Sequence, residues 1–163
     1  MKAILAALAF SVLFILLTAV TFTVAARGET LKTAARIPLD AQGQQSGQFS
    51  APDLTVNYKY DRTGSDMKLA GTVQFAMLIQ ANYAVVQTFR LGLALADAQG
   101  NVVGQQELAS AFDNNVGDTV SFSGTVALPA QTASMAFTYT GEAYAADPGD
   151  PDPTSFWFYP FNN

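Results

Sequence analysis

Two consecutive stretches in which apolar and polar side chains alternate constrain the fold of this chain more than any other feature. Residues 67–79 carry Met67, Leu69, Val73 and Phe75 on one side, with Gly71 between them, and mainly polar residues on the other. Residues 83–95 repeat the same pattern. A period of two residues is typical of a β-strand with one buried face. The region 67–96 therefore predicts two long, half-buried strands.

The connection between these strands has two solutions. If the strands pair as a hairpin, opposite residues must point to the same face, which a three-residue loop at 80–82 satisfies. That loop sets Val73 opposite Phe89 and Leu69 opposite Leu93, with its last residue near the left-handed conformation. In the alternative geometry, the second strand crosses to the facing sheet of a sandwich.

The rest of the chain repeats this pattern of short strands and turns. Further strands are predicted at 54–60, 101–108, 120–128, 135–140 and 156–161. Turn residues recur about every ten residues, including Gly64, expected at positive φ, and the tight turn 97–100. No helix is predicted after residue 26. The spacing favours an all-β fold, an antiparallel β-sandwich of immunoglobulin-like size with about seven strands.

The N-terminal residues 3–26 carry no charge. As a helix they would extend about 36 Å, enough to cross a hydrocarbon layer of about 30 Å. We predict an uncleaved transmembrane anchor at 1–26, and the alternative is a signal peptide cleaved near Ala26. Residues 27–50 are predicted as a membrane-proximal stalk with short edge strands at Ile37 and Pro38 and a flexible stalk or loop from 41 to 50, in which Phe49 is a candidate start of a short strand. Residues 51–163 are predicted as the sandwich domain.

The membrane orientation is a choice between opposing signals. Lys2 lies on one side of the anchor, and Arg27, Lys32 and Arg36 lie on the other. By charge alone, the positive-inside rule would place the domain in the cytoplasm. The signal-like start, the absence of cysteine and the low charge favour the outside. We predict a single-pass protein of the cell membrane with an extracytoplasmic domain, or a periplasmic or secreted domain after cleavage.

The composition excludes several classes of function. The net charge is −5 and no basic cluster follows Arg36, so nucleic acid is not an expected partner. The chain contains no histidine and no cysteine, which removes histidine-based triads, thiolate nucleophiles and the usual zinc sites. We predict neither enzyme activity nor a cofactor.

The carboxylates do not change this prediction. Paired-carboxylate catalysis needs two acids in one cleft, and no pattern brings any two of the candidates together. The candidates are Glu107, Asp113, Asp118 and Glu142. A proline-broken loop with Asp147, Asp150 and Asp152 offers hard oxygen ligands, but the spacing matches no calcium-loop motif. We interpret it as a solvated turn, with cation binding left open, and no catalytic or metal residue is predicted.

The C-terminus is crowded with aromatic residues. Alternation in 156–161 would send Phe156 and Phe158 to one face and Trp157, Tyr159 and Phe161 to the other. One set can fill the core, whereas the other needs a cover, such as the chain's own loops, a bilayer surface, a partner protein or a sugar ring. The predicted partner or ligand patch consists of Tyr144, Trp157, Tyr159 and Phe161.

These features lead to one functional hypothesis and one alternative. The first is a non-catalytic, membrane-anchored accessory or protein-interaction subunit that docks a neighbour, or another copy of itself, through a sheet edge or the aromatic terminus. The lipid bilayer is a partner through residues 3–26. The alternative is a secreted or periplasmic ligand-binding module of the carbohydrate-binding type.

Overall fold

The computed structural model describes residues 28–39, 42–145 and 153–162. The predicted anchor at 3–26 and the aspartates at 147, 150 and 152 lie outside the described residues. Within the described ranges, no helix is long and apolar enough to cross a membrane.

The described chain consists almost entirely of antiparallel strands, which confirms the all-β prediction. The strands are β1 (Thr30–Leu31), β2 (Ile37–Pro38), β3 (Gly43–Ser50), β4 (Leu54–Thr63), β5 (Asp66–Phe75), β6 (Tyr83–Ala96), β7 (Val102–Asn115), β8 (Val120–Ala127), β9 (Ser134–Ala145), β10 (Thr154–Phe158) and β11 (Phe161–Asn162). A 3₁₀ turn at Thr33–Ala35 and the short helix α1 (Met77–Asn82) complete the described elements.

Two sheets pack against each other. The four-stranded sheet has the order β3-β4-β5-β8, and the five-stranded sheet has the order β10-β9-β6-β7, with β2 also paired to β9. Their inner faces share one core, in which Phe75 of β5 meets Phe89 of β6 with ring centroids 5.2 Å apart. Phe122 of β8 contacts Phe137 of β9 in the same way. The alternating apolar residues of the sequence are the side chains that fill this space.

The predicted hairpin between the two long strands is wrong, and the crossing alternative is the one observed. β5 pairs with β4 and β8, so Val73 lies opposite Val56 and Val120. Residues 77–79, predicted as the end of the first long strand, belong to α1 instead. This also corrects the prediction of no helix after residue 26. Side-chain amides fix this helical turn, because Gln80 Nε2 donates to Phe75 O and Asn82 Nδ2 donates to Leu78 O, each at 2.7 Å.

The stretch predicted as a flexible loop before residue 51 contains a full strand, so that prediction is also wrong. β3 pairs with β4 along all eight of its residues. The apolar anchor is Phe49, whose ring lies 5.6 Å from Phe137 and 5.2 Å from Phe158. One aromatic side chain reaching into the shared core orders a strand that is otherwise Gln, Gly and Ser. The predicted edge piece at Ile37 and Pro38 is confirmed as β2.

Two turns agree with the sequence analysis. Gly64 has φ +61, as expected, and connects β4 to β5. The turn 97–100 closes with Gly100 N–H donating to Asp97 O at 3.0 Å, and Gly100 has φ +94. β7 then continues to Asn115, well beyond the predicted strand end at residue 108.

A small third sheet covers one end of the five-stranded sheet on its outer side. β1 pairs with β11, and Leu31 is fully buried against Ala94, Ala96 and Ala136. These alanines alternate with core residues of β6 and β9, so they point away from the main core. Their small side chains let β1 lie close to the sheet, and the chain therefore enters the domain from this side.

Candidate functional site

The predicted patch residues lie on the outer side of the five-stranded sheet. Phe89, Leu91, Tyr139 and Ala143 are buried in the core, so their neighbours in β6 and β9 point outward. We call the uncovered part of this side the aromatic face. It consists of Thr88, Arg90, Gly92, Glu107, Phe112, Thr138, Thr140, Glu142, Tyr144, Trp157 and Tyr159. Phe161 lies on the same side but packs against the alanines under β1.

The predicted alternation of the C-terminal aromatics is observed. Phe156 is buried and Phe158 is half-buried, and both contact the ring of Tyr139. Trp157 and Tyr159 remain 61% and 53% exposed. Phe112 in β7, at the opposite border of the face, is 64% exposed. Three large aromatic side chains therefore flank an open surface.

Two adjoining depressions lie between these aromatic borders. One of about 280 Å³ contains Trp157, and one of about 180 Å³ contains Gly92. Thr140 and Tyr159 line both. The Thr138 hydroxyl lies over Gly92, where a Cβ would run into Thr138 Oγ1. The floor carries hydroxyls and the rim carries aromatic rings.

The aromatic face carries one arginine and two glutamates, Arg90, Glu107 and Glu142, and therefore has a net charge of −1. The Arg90 guanidinium lies 3.9 Å from the Glu107 carboxylate, and both side chains are more than half exposed. Such a pair contributes less than about 1 kcal/mol to stability, so its main effect is to leave the surface close to neutral.

The candidate carboxylates are not brought together as a catalytic pair. Glu107 is cross-strand from Gly92 on one side of β6, and Glu142 is cross-strand from Thr88 on the other. Standard strand spacings then place the Cα atoms of the two glutamates about 16 Å apart. Asp118 accepts a hydrogen bond from Asn115, and Asp113 lies near the end of β7 with φ +50. No group of three potential metal ligands occurs within the described ranges.

The outer side of the four-stranded sheet has a different character. We call it the polar face. It consists of Gln44, Ser46, Gln48, Thr55, Asn57, Lys59, Asp61, Lys68, Ala70, Thr72, Gln74, Ser121, Ser123 and Thr125. None of the large apolar side chains exposed in the described part of the chain lies on it.

No described strand pairs with the outer edge of β3, which we call the open edge of the four-stranded sheet. Among the described strands, only β4 pairs with β3. Its eight residues contain no charge and no proline, and its register with β4 has no bulge. Charged residues, prolines and bulges are the features with which proteins normally prevent another strand from pairing with an exposed edge.

The other edges differ from β3. β10 has five residues and is followed by Pro160, and β2 on the same edge contains Pro38. β7 carries Glu107 and Asp113, and its pairing with β6 has two irregularities. β8 resembles β3 in having no charge and no proline, but parts of β7 lie beside it, across a depression of about 290 Å³. No strand of the other sheet flanks β3 to a similar extent within the described residues.

Several residues of these surfaces were missed from the sequence. Phe112 and Arg90 were not singled out, although Phe112 would have followed from extending the strand beyond residue 108. Met77 and Leu78 were assigned to a strand, but α1 exposes them by 76% and 62%. The hydroxyl of Tyr139 donates to Asp53 Oδ2 at 2.8 Å, linking β9 to the turn before β4. Burial, reinforced by this hydrogen bond, raises the pKa of Tyr139 above its usual range.

The fold and surfaces define an all-β protein with two packed antiparallel sheets, one aromatic outer face and one open edge. No protein-family model matches the chain, and neither the curated proteins nor the solved structures gave a match.

Proposed function

We propose that the chain is a non-catalytic, membrane-anchored extracytoplasmic β-sandwich that acts as an accessory or interaction subunit of a larger assembly. Residues 3–26 anchor it, and the open edge of β3 accepts an extended strand from a neighbouring protein or a second copy. The observation that carries this proposal is the unprotected edge of β3.

Strand addition suits this edge for a physical reason. An edge strand presents a row of backbone N–H and C=O groups that water satisfies until another strand replaces it. Main-chain hydrogen bonds then provide affinity, and side chains pointing alternately to the two sides provide specificity. On the polar face the neighbour would meet Gln44, Ser46 and Gln48, which are uncharged and can both donate and accept hydrogen bonds.

Site-specific photocrosslinking in native membranes tests this proposal. Ser46 in β3 and Ser123 in β8 lie in one cross-strand row, at opposite borders of the same sheet, and both are exposed. A photoreactive residue at position 46 of the full chain is expected to give a specific crosslinked product, while position 123 serves as the matched control. Absence of a product at 46, or equal products at both positions, would contradict docking through β3.

Charge substitutions give an independent readout. Like charges placed on an edge strand oppose the approach of another strand. The triple variant Q44K/S46K/Q48K is expected to abolish the crosslinked or co-purified complex. The control S121K/S123K/T125K adds the same charge to the other edge strand and should leave the complex intact.

A second candidate function is a carbohydrate-type ligand-binding module. The observation that favours it is the hydroxyl-floored depression beside Trp157 and Tyr159, because an aromatic ring can cover the apolar side of a sugar. Titration with soluble neutral oligosaccharides tests it. Saturable binding by the parent chain that is lost in Trp157→Ala would support this candidate, and absence of binding by the parent chain would reject it.

A further inference from the structure

We infer that the aromatic face rests on the lipid surface beside the anchor, so that the domain lies on its side with the polar face turned to water. This inference rests on the proposed membrane anchor and adds the surface through which the domain contacts the bilayer.

The first step is the distribution of exposed apolar side chains. Within the described ranges the exposed large apolar residues are Met77, Leu78, Phe112, Trp157 and Tyr159. Three of these five belong to the aromatic face, and the other two lie in α1 where β5 crosses to β6. Leaving three aromatics in water on one side while the opposite side exposes none is the pattern of a surface that something covers.

A short tether, residues 27–29, joins the proposed anchor to β1. β1 lies on the same side of the five-stranded sheet as the aromatic face, with Leu31 buried against the outward alanines. Three residues separate Ala26, at the end of the apolar stretch, from Thr30 in β1. Fully extended, the four steps from Ala26 to Thr30 span at most about 14 Å. If the apolar stretch ends at the bilayer surface, β1 and the side on which it lies stay within that distance of the lipid.

The third step is the distance from the tether to the aromatic residues. Leu31 of β1 packs against Ala136, which lies in β9. Trp157 is cross-strand from Thr140, which lies four residues further along β9. Four residues of strand correspond to about 13 Å. The open aromatics therefore begin next to the point where the chain must approach the membrane.

The fourth step is the chemistry of the face. Tryptophan and tyrosine are the side chains enriched at membrane–water interfaces, because each has an apolar ring with a polar group that stays hydrated. Arg90 is balanced by Glu107 across 3.9 Å, so the face does not require an anionic partner. The short tether also makes lipid contact intramolecular, which gives the bilayer a high effective concentration compared with any free glycan or protein.

The chain offers a direct test because Trp157 is its only tryptophan. The full chain is reconstituted into phosphatidylcholine vesicles, with or without bromine on the acyl chains near the headgroup. We expect Trp157 emission to be lost in the brominated vesicles and to be poorly quenched by aqueous iodide. Full emission in brominated vesicles, together with iodide quenching, would overturn the inference and leave the face available to a glycan or a protein.

Two relocated tryptophans control for position. W157F/F112W moves the reporter to the other border of the aromatic face and should again be quenched by brominated lipid. W157F/S121W moves it to the exposed Ser121 of the polar face and should be insensitive to brominated lipid. Loss of quenching at position 112, or equal quenching at position 121, would also overturn the inference.

Flotation of the same vesicles separates the two proposals. If the chain floats with the vesicles after a high-pH wash but Trp157 is not quenched, the anchor stands and the face-down orientation fails. If the chain does not float, the anchored function fails, and the orientation fails with it.

Discussion

The two outer faces of this domain belong to the same kind of strand, in which inward and outward side chains alternate, but the faces differ in chemical character. The polar face exposes Gln, Ser, Thr, Asn, Lys and Asp, and no large apolar side chain of the described chain lies on it. The aromatic face exposes Trp157, Tyr159 and Phe112, and the adjoining end of the same side of the sheet is covered by Leu31. Alternation determines which side chains point away from the core. Whether the surface that they form must be covered by another molecule depends on which side chains they are.

This difference assigns separate roles to the two sides. A face without apolar side chains is stable in water and leaves the adjacent edge of β3 accessible. A face with three exposed aromatics gains free energy when water is removed from it, by about 25 cal/mol per Å² of apolar surface. The comparison predicts that side chains on the aromatic face contribute little to folding, in contrast to their inward neighbours.

The neighbouring residues Phe156 and Trp157 should give the largest contrast. Phe156→Ala is expected to lower the free energy of unfolding by about 3–5 kcal/mol, since the buried ring packs against Phe75 and Phe89. Trp157→Ala should cost less than about 1 kcal/mol, because most of its side chain is exposed. Urea unfolding of the full chain in detergent measures both. Equal losses would mean that Trp157 is a core residue and that the aromatic face needs no further cover.

Leu31, which covers the part of the sheet beside the aromatic face, should give the next largest contribution. Leu31→Ala removes a fully buried side chain from the alanine-lined site under β1 and is expected to cost about 2–5 kcal/mol. Thr72→Ala, on the polar face, is the matched control and should change the free energy of unfolding little. A negligible effect of Leu31→Ala in the same urea experiment would show that β1 is not held on this side, and the tether argument would lose its basis.

The hydrogen bond from Tyr139 to Asp53 connects the two sheets and should matter less. Tyr139→Phe is expected to cost about 1–2 kcal/mol, because the hydrogen bond to Asp53 is lost. Burial raises the pKa of Tyr139 above its ordinary value of 10, so the contribution is complete below pH 10 and is lost as the pH rises through the raised pKa.

Unfolding measured at increasing alkaline pH checks this sign. Tyr139→Phe should reduce the alkaline loss of stability. An identical alkaline profile for the parent chain and Tyr139→Phe would contradict the assignment.

The smallest effect is expected at the turn that supports β1. The Asp97 carboxylate accepts hydrogen bonds from the side chain of Asn101 and from the backbone N–H groups of Gln99 and Asn101, at 2.8–3.0 Å. The side-chain bond from Asn101, followed by these backbone bonds, holds the pKa of Asp97 below its ordinary value of 3.8. Its contribution is therefore present above pH 3.8 and is lost as the pH falls through the lowered pKa.

Asp97→Asn should make unfolding less dependent on pH in this acid range. If Asp97→Asn follows the acid profile of the parent chain, the turn does not hold β1 through its carboxylate.

Much of the fold could be predicted from the sequence because apolar periodicity records burial. All seven strands predicted after residue 50 are present as β4 to β10. The hairpin prediction was wrong because alternation shows only which side chains of a strand face the core. It does not show whether the next strand pairs in the same sheet or lies in the facing sheet. β3 was missed because its burial depends on Phe49, and contacts of that ring with Phe137 and Phe158 are not visible in local composition.

The candidate site was predictable only in part, for a related reason. Alternation correctly separated Phe156 from Trp157, since adjacent residues of one strand point to opposite sides. Phe112, Arg90 and Gly92 join the same surface through strand order and register, which a single sequence does not specify. The open edge of β3 depends on which strands remain without a neighbour and could be recognised only from the complete sheets.

Membrane anchoring is the premise shared by the docking edge and the lipid-facing surface. Intact-mass analysis of the protein purified from its own membranes tests it most directly. The account predicts the mass of the whole chain beginning at Met1, recovered only with detergent and accompanied by a partner or a second copy. A soluble, solitary species that begins near Arg27 would contradict the anchor and favour the secreted ligand-binding module.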